Sequence, residues 1–446
     1  MKYILSAYIA VNIGIAVLSS KIPDRIRTIL VYASVSVLLC IGTLKYCNEA
    51  MRRVTHFSAL AFPAGIAALI VLAIAGCRRK TSAGSLRYSR AFWFGWILCF
   101  AVMFIMTFVH PVKKSYYMWS VSCLFIFPLI FIGWRDKDRF KELCRNVSES
   151  VLAVSYIFIL LSIMLVPFFS GGDLGLVLTE YIGMAVNPNN NGMLVIAFFG
   201  PVLYLLLCER RLKPIYYLIP MGVCVGISVI SNCRTAELGI LLQTAGGLAY
   251  YYLYSVRPAG EKVNWKKLVA AILIVFAIAV VSGVILKQLD KMNLEVHAAD
   301  AIEADGGTLF DKLDQLSSGR LAITRTYLEQ STFWGNGSPD GPVIEGYEAS
   351  KWSFNNAVDV LYISGVIPFA GCVIWMISVI IFILKCLFGR GERRPEYLFT
   401  IVTFAGYFTE FMLEVTIYPI TTSLVLLAYI GFIPIACRET VNEREK

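Results

Sequence analysis

Apolar residues in this chain gather into runs close to the ~20 residues that carry a helix across the hydrocarbon core of a bilayer. The runs fall near 3–19, 28–45, 57–76, 91–109, 117–133, 151–169, 191–208, 214–231, 236–254, 268–286, 358–384, 397–415 and 420–437. Backbone in hydrocarbon must satisfy its own hydrogen bonds, so a spanning segment is a helix or part of a closed barrel; runs this long and continuous are not barrel strands. The pattern predicts an all-α fold, a polytopic membrane helix bundle of about thirteen spans, with twelve or fourteen left open by the first 150 residues. The first run is too long and too poorly flanked by basic residues for a cleaved signal peptide, and is expected to stay as a span.

One polar stretch of 68 residues, 287–354, interrupts this rhythm. It divides the chain into three parts. Residues 1–286 hold about ten spans, 287–357 form a large loop with short helices, and 358–446 hold the last spans and a tail. Charge assigns the sides. Arg78, Arg79, Lys80, Arg87 and Arg90, the segment 135–145, Arg210, Arg211 and Lys213, and the segments 257–267 and 390–394 are basic, so these loops are expected in the cytoplasm. By contrast, 170–190 has no Lys or Arg, and 287–354 carries eleven Asp or Glu against six Lys or Arg, so both are expected outside. Lys45, Arg52 and Arg53 fall out of phase, whereas from the fourth span onward the alternation holds and leaves the C-terminus in the cytoplasm.

Composition narrows the function classes. A chain that is 58% hydrophobic with mean hydropathy +0.69 does not reside in the cytoplasm, and its net charge of +10 is accounted for by loop topology without nucleic acid. The twelve cysteines form no C-x-x-C, and Cys40, Cys99, Cys123, Cys208, Cys224 and Cys372 lie within apolar runs. With histidine only at 56, 110 and 297, neither a metal site nor any other cofactor is expected. No phosphate-cradling G-x-x-x-x-G-K-[ST] is present, so an ATP-driven pump is not expected. Asp136-Lys137-Asp138 matches the acid-x-acid tripeptide of some metal-dependent nucleotide-sugar enzymes, but in a basic loop it reads as solvated charge.

The candidate chemistry lies on the expected outer side. Asn187-Pro188-Asn189-Asn190-Asn191-Gly192 opens the seventh span and reads either as a helix cap or as donors to a polar ligand. Ser231-Asn232-Cys233-Arg234-Thr235 is a polar break between two spans. A guanidinium at membrane depth needs an anion or carbonyl partners unless it snorkels to lipid phosphates, so Arg234 is a functional candidate. In the loop, Ser317-Ser318-Gly319-Arg320 precedes a short helix, 321–330, whose N-terminal amides and adjacent guanidinium could hold a phosphate. Arg325 points about 140° away from Arg320 and reads as a surface residue. Further on come Gly335-Asn336-Gly337 and then Phe354-Asn355-Asn356, where Asn356 and Asp359 look like a helix cap pair. Glu410 and Glu414 are one turn apart and share a face; they could bind acceptor hydroxyls or assist as a base, or form a solvated helix end.

In order and spacing these elements resemble the O-antigen ligase and O-antigen polymerase family: N-P-N-N (187–190), S-x-x-R (Ser231 to Arg234), S-G-R (Ser318 to Arg320), G-x-G (Gly335 to Gly337) and N-x9-G (Asn355 to Gly365). The resemblance covers roughly 150–437. It implies a GT-C-like integral membrane glycosyltransferase of the bacterial cytoplasmic (inner) membrane, using an undecaprenyl-diphosphate-linked glycan as donor on the outer face, with no nucleotide sugar, metal or other cofactor. Membrane lipids, and chain-length regulator and flippase proteins, would be its partners.

By motif, Arg234 and Arg320 would hold the donor diphosphate; Asn187, Asn189, Asn190, Asn355 and Asn356, with Glu410 and Glu414 from their shared helix face, are the expected substrate-binding residues. The family usually has His where this chain has Phe354, so a base must come from elsewhere. Glu345 and Glu348 could reach in from the loop; Asp359 and His297 are further candidates. Polymerisation of capsule, O-antigen-like or exopolysaccharide repeats is the favoured expectation. A ligase moving the glycan to another acceptor, a lipid-linked glycan transporter or flippase, and a non-catalytic scaffold are the alternatives.

Overall fold

A computed structural model of the chain describes residues 23–47, 57–76, 89–111, 114–169, 188–231, 233–255, 320–337, 341–342, 353–389, 393–414 and 422–437. The expected spans 3–19 and 268–286, most of the loop 287–357, and Asn187, Glu345 and Glu348 lie outside the described residues. Every element among the described residues is helical. In order these are α1 (Asp24–Tyr46), α2 (Phe57–Gly76), α3 (Arg90–Val109), α4 (Lys114–Val121), α5 (Phe127–Trp134), α6 (Lys137–Phe169), α7 (Pro188–Tyr204), α8 (Ile215–Ile230), α9 (Arg234–Ser255), α10 (Arg320–Glu329), α11 (Asn356–Ser364), α12 (Val366–Phe388), α13 (Pro395–Leu413), α14 (Ser423–Gly431) and α15 (Ile433–Ala436). One π-helical turn, Ser122–Ile126, joins α4 to α5, and another, Leu205–Glu209, extends α7.

Five helical stretches are long and apolar enough to cross a membrane: Arg25–Tyr46, Arg90–Val109, Lys137–Leu161, Asn189–Glu209 and Val366–Phe388. Shorter apolar helices occupy Ala64–Gly76, Trp119–Trp134, Ile215–Val229 and Ser423–Ala436. The described chain is therefore an all-α bundle of the membrane-spanning kind.

Two elements depart from the hydropathy reading. The sixth run was expected to begin at 151, after a polar loop, whereas α6 begins at Lys137 and continues for 33 residues, about 50 Å at 1.5 Å per residue. Beneath its charges the segment keeps a helical stripe, Phe140, Leu143, Cys144, Val147 and Val151, all buried. Asp136 stands at the entry: its carbonyl accepts from the Phe140 amide at 2.8 Å and its carboxylate from the Arg139 amide at 3.4 Å.

The second departure bears on the site. The run 358–384, expected as one span, is two helices, α11 and α12, broken at Gly365 with φ +91°. A helix break leaves amides and carbonyls unpaired, which is costly inside a bundle. Here the G-x-G segment supplies the partners. The Asn336 and Gly337 amides donate to the Tyr362 and Ile363 carbonyls at 2.7 and 3.1 Å, and the Val366 amide donates to the Phe333 carbonyl at 2.9 Å. Gly335 (φ +81°) and Gly365 face each other, and a Cβ on Gly365 would run into the Phe333 carbonyl oxygen and lie 2.7 Å from the Trp334 carbonyl carbon.

Two packing devices set the frame. The helices α3 and α12 cross where Gly95 meets Gly371: a Cβ on Gly95 would lie 2.6 Å from the Trp375 amide nitrogen, so only small residues allow the backbones this close. Around that crossing Trp96 contacts Phe127, Trp375 and Tyr429, and its indole donates to the Cys123 carbonyl at 3.0 Å. The other device is Gln243, fully buried on α9. Its amide donates to the Ile196 carbonyl on α7 at 3.0 Å and the Val402 carbonyl on α13 at 3.1 Å, tying together the three helices whose ends build the site.

Candidate functional site

The motif-bearing segments converge at one end of the bundle. Pro188 is the first residue of α7, where its missing amide hydrogen costs nothing and its fixed φ suits a helix start. Asn189 and Asn190 follow, half-buried, and the Cys233 thiol points at Asn189 Oδ1, 3.8 Å away. Gly192 lets α7 come close to α9, since a Cβ there would meet Cys233 Sγ and sit 3.2 Å from the Ala236 Cβ. The start of α9 is thus fixed against the start of α7. Arg234, the first residue of α9, is exposed rather than enclosed by the bundle, and Glu237 in the same turn lies within its electrostatic range.

Arg320, the first residue of α10, is the centre of the arrangement. One guanidinium nitrogen, Nη2, lies 2.7 Å from Glu414 Oε1, and Nη1 donates to the Leu413 carbonyl at 2.6 Å. The Phe354 ring covers the guanidinium carbon at 4.9 Å, within cation–π range. Phe354 has φ +57°, a left-handed backbone that a bulky side chain adopts at a cost of roughly 1–3 kcal/mol. That backbone is held by its neighbours: the Ser353 amide donates to Asp359 Oδ1 at 2.9 Å, the Asn355 amide to Ser353 Oγ at 3.1 Å, and Thr324 Oγ1 on α10 to the Ser353 carbonyl at 2.8 Å.

At the start of α11 the cap is Asn355 rather than the expected Asn356. Asn355 Oδ1 accepts from the Ala357 and Val358 amides at 3.1 and 3.2 Å. Asn356 is the next residue in, buried, and its amide donates to the Phe411 and Glu414 carbonyls, both at 3.2 Å. It holds the C-terminus of α13 where Arg320 can reach Glu414. Asp359, expected as the partner of an Asn356 cap, instead ties Ser353 as above and lies in hydrogen-bonding range of Tyr116 on α4.

Glu410 and Glu414 do share a face, but they are not a solvated helix end. Glu410 is fully buried, with no hydrogen-bond partner on either carboxylate oxygen among the described residues, and Glu414 is 5% exposed. Glu410 lies within electrostatic range of both Glu414 and Arg320, and Cys233 lies within range of all three. One guanidinium therefore serves two buried carboxylates, beside the α9 terminus that presents Arg234.

Of the sequence-predicted residues, the structure brings together Asn189, Asn190, Arg320, Asn355, Asn356, Glu410 and Glu414, with Arg234 at the adjoining helix start. Asn187, Glu345 and Glu348 fall outside the described residues. Arg325 lies on the exposed face and pairs with Glu329 at 2.7 Å. Sequence reasoning passed over Phe354 as an active participant and over Cys233 and Ser353. Phe354 carried a signal in sequence, since the expected resemblance implies His at its position.

No protein-family model matches the chain, and neither a curated protein nor a solved structure matches it.

Proposed function

We propose that the chain is an integral membrane glycosyltransferase that polymerises undecaprenyl-diphosphate-linked oligosaccharide repeat units on the outer face of the bacterial cytoplasmic membrane. The observation that carries this reading is Arg320, set at a helix N-terminus under an aromatic ring and beside two buried carboxylates. A guanidinium at the start of a helix suits a diphosphate whose negative charge grows as the glycosidic bond breaks. Arg234 stands at the start of α9, where a cation opposes the helix dipole and an arriving anion offsets the opposition. The carboxylates suit sugar hydroxyls, which donate hydrogen bonds to them.

In this reading about thirteen spans form a GT-C-like bundle, the loop 287–357 is extracytoplasmic, and the C-terminus is cytoplasmic. The donor enters from the lipid with its diphosphate on Arg320 and Arg234. The acceptor repeat unit binds against Asn189, Asn190 and the Glu410–Glu414 face. No nucleotide or metal takes part. The test is transfer from undecaprenyl-diphosphate-linked repeat units by the purified protein, with Arg320→Ala and Arg234→Ala as controls. A ladder of products lost in both controls supports the polymerase, and a single transfer to a different acceptor supports a ligase.

A lipid-linked glycan transporter is favoured by one feature, the break at Gly365, since interrupted helices line many transport sites. Protein in vesicles that moves the lipid-linked glycan across the bilayer without forming a new glycosidic bond would establish that reading.

A further inference from the structure

Arg320 is already occupied. Glu414 takes one edge of its guanidinium at 2.7 Å, the Leu413 carbonyl accepts from the other at 2.6 Å, and Phe354 closes one face. Any anion that comes to Arg320 through its planar fork must therefore compete with Glu414, the one anionic partner in this set. A carboxylate offers one negative charge, whereas a diphosphate offers more charge and several acceptor oxygens, and the match strengthens as the leaving group gains charge. Once displaced, Glu414 cannot simply turn to water. It is buried, and its neighbour one turn away is Glu410, a second buried carboxylate with no hydrogen-bond partner among the described residues.

Resting on the polymerase reading, we propose that Arg320 is an exchangeable counter-ion: the donor diphosphate takes it from Glu414, and the released carboxylate becomes the base for the acceptor sugar. In the step that follows, the acceptor hydroxyl oxygen forms a bond to the anomeric carbon and its proton passes to a Glu414 carboxylate oxygen. The anomeric carbon–oxygen bond to the diphosphate breaks, and undecaprenyl diphosphate leaves with the electron pair. The base is switched on only when a donor is in place; in a vacant site the Glu414 carboxylate stays paired with Arg320 and does not activate water or a stray hydroxyl. This supplies a base to a chain with Phe354 in place of the family's His, and it gives Phe354 a part: its ring holds the guanidinium plane while the partner on its edge changes.

The experiment uses the full chain in nanodiscs and two readouts, equilibrium binding of undecaprenyl diphosphate and single-turnover transfer from the glycan-linked donor. Glu414→Gln removes the competitor and the base together, so it should bind undecaprenyl diphosphate about tenfold more tightly while transferring at least about a hundredfold more slowly. Glu414→Asp keeps the charge with a shorter reach and should recover part of the transfer rate. Glu329→Gln, in the exposed pair with Arg325 on α10, should leave carrier affinity and transfer within about twofold. A residue that only supported the fold would weaken binding and transfer together. Unchanged or weaker carrier binding in Glu414→Gln would overturn the exchange, and tighter binding with a normal transfer rate would overturn the base. Unchanged carrier binding in Arg320→Ala would be a different failure, removing the diphosphate site and the exchange with it.

Discussion

Removing Arg320 should cost stability as well as activity, and the two losses can be separated by a second substitution. Arg320→Met deletes the contact with Glu414, the hydrogen bond to Leu413 and the cation under Phe354, and leaves Glu414 and Glu410 buried with no cation between them. Breaking a buried pair from one side costs about 3–5 kcal/mol. Because the Arg320 side chain is 22% exposed, water reaches it and the lower end, about 3 kcal/mol, is expected. Glu414→Gln keeps the shape and leaves Arg320 its carbonyl and ring, and should cost about 1–2 kcal/mol. The double variant buries no uncompensated charge at position 414, so its loss should be about 2 kcal/mol, giving a coupling of about 2 kcal/mol between the sites. Unfolding in mixed micelles titrated with SDS, followed by tryptophan fluorescence, measures all four proteins. If the double variant is as unstable as the sum of the singles, the pair contributes nothing in solution and the account of this site is wrong. If the coupling appears, the double variant should be folded and still make no polymer.

Gly365→Ala places a methyl against the Phe333 carbonyl at φ +91°, and should cost more than about 2 kcal/mol and detach the 333–337 segment, seen as faster amide hydrogen exchange at 336, 337 and 366. Gln243→Leu removes two bonds to backbone carbonyls that remain bonded within their own helices; a loss of about 0.6–2 kcal/mol in the same SDS titration is expected, with transfer activity largely kept. Phe354→Leu keeps an apolar cover but no ring face, and should lower transfer about three- to thirtyfold, from a cation–π contribution of about 0.5–2 kcal/mol, with a smaller change in Phe354→Tyr. A single cysteine placed at Glu345 in a cysteine-free background should be labelled from outside intact cells by a membrane-impermeant maleimide; labelling only after lysis would reverse the topology.

The helices were legible because lipid imposes one requirement on every span, a long apolar run, and no partner is needed to see it. That requirement also hid the break at Gly365, since α11 and α12 are apolar on both sides of it and the bonds that repair it come from a segment distant in sequence. The start of α6 was missed for the opposite reason: charged residues mask the stripe formed by Phe140, Leu143, Cys144 and Val147, although its three- and four-residue spacing was there to read. At the site, helical spacing alone put Glu410 and Glu414 on one face. Their burial and the claim of Glu414 on Arg320 are products of tertiary packing, through Asn356 and the end of α13, which no local pattern encodes. The cap was misplaced by one residue because two adjacent asparagines are equivalent as caps in sequence, and only the pairing of Asn356 with α13 separates them.

The central claim is glycosyl transfer from a lipid diphosphate at Arg320. The most direct measurement is an incubation of the purified protein with undecaprenyl-diphosphate-linked repeat unit, without nucleotide or metal, with product lengths resolved on a gel beside Arg320→Ala. The account predicts a ladder in the wild-type lane and none in the variant lane. Intact donor binding with no product from the wild type, or an undiminished ladder from Arg320→Ala, would contradict it.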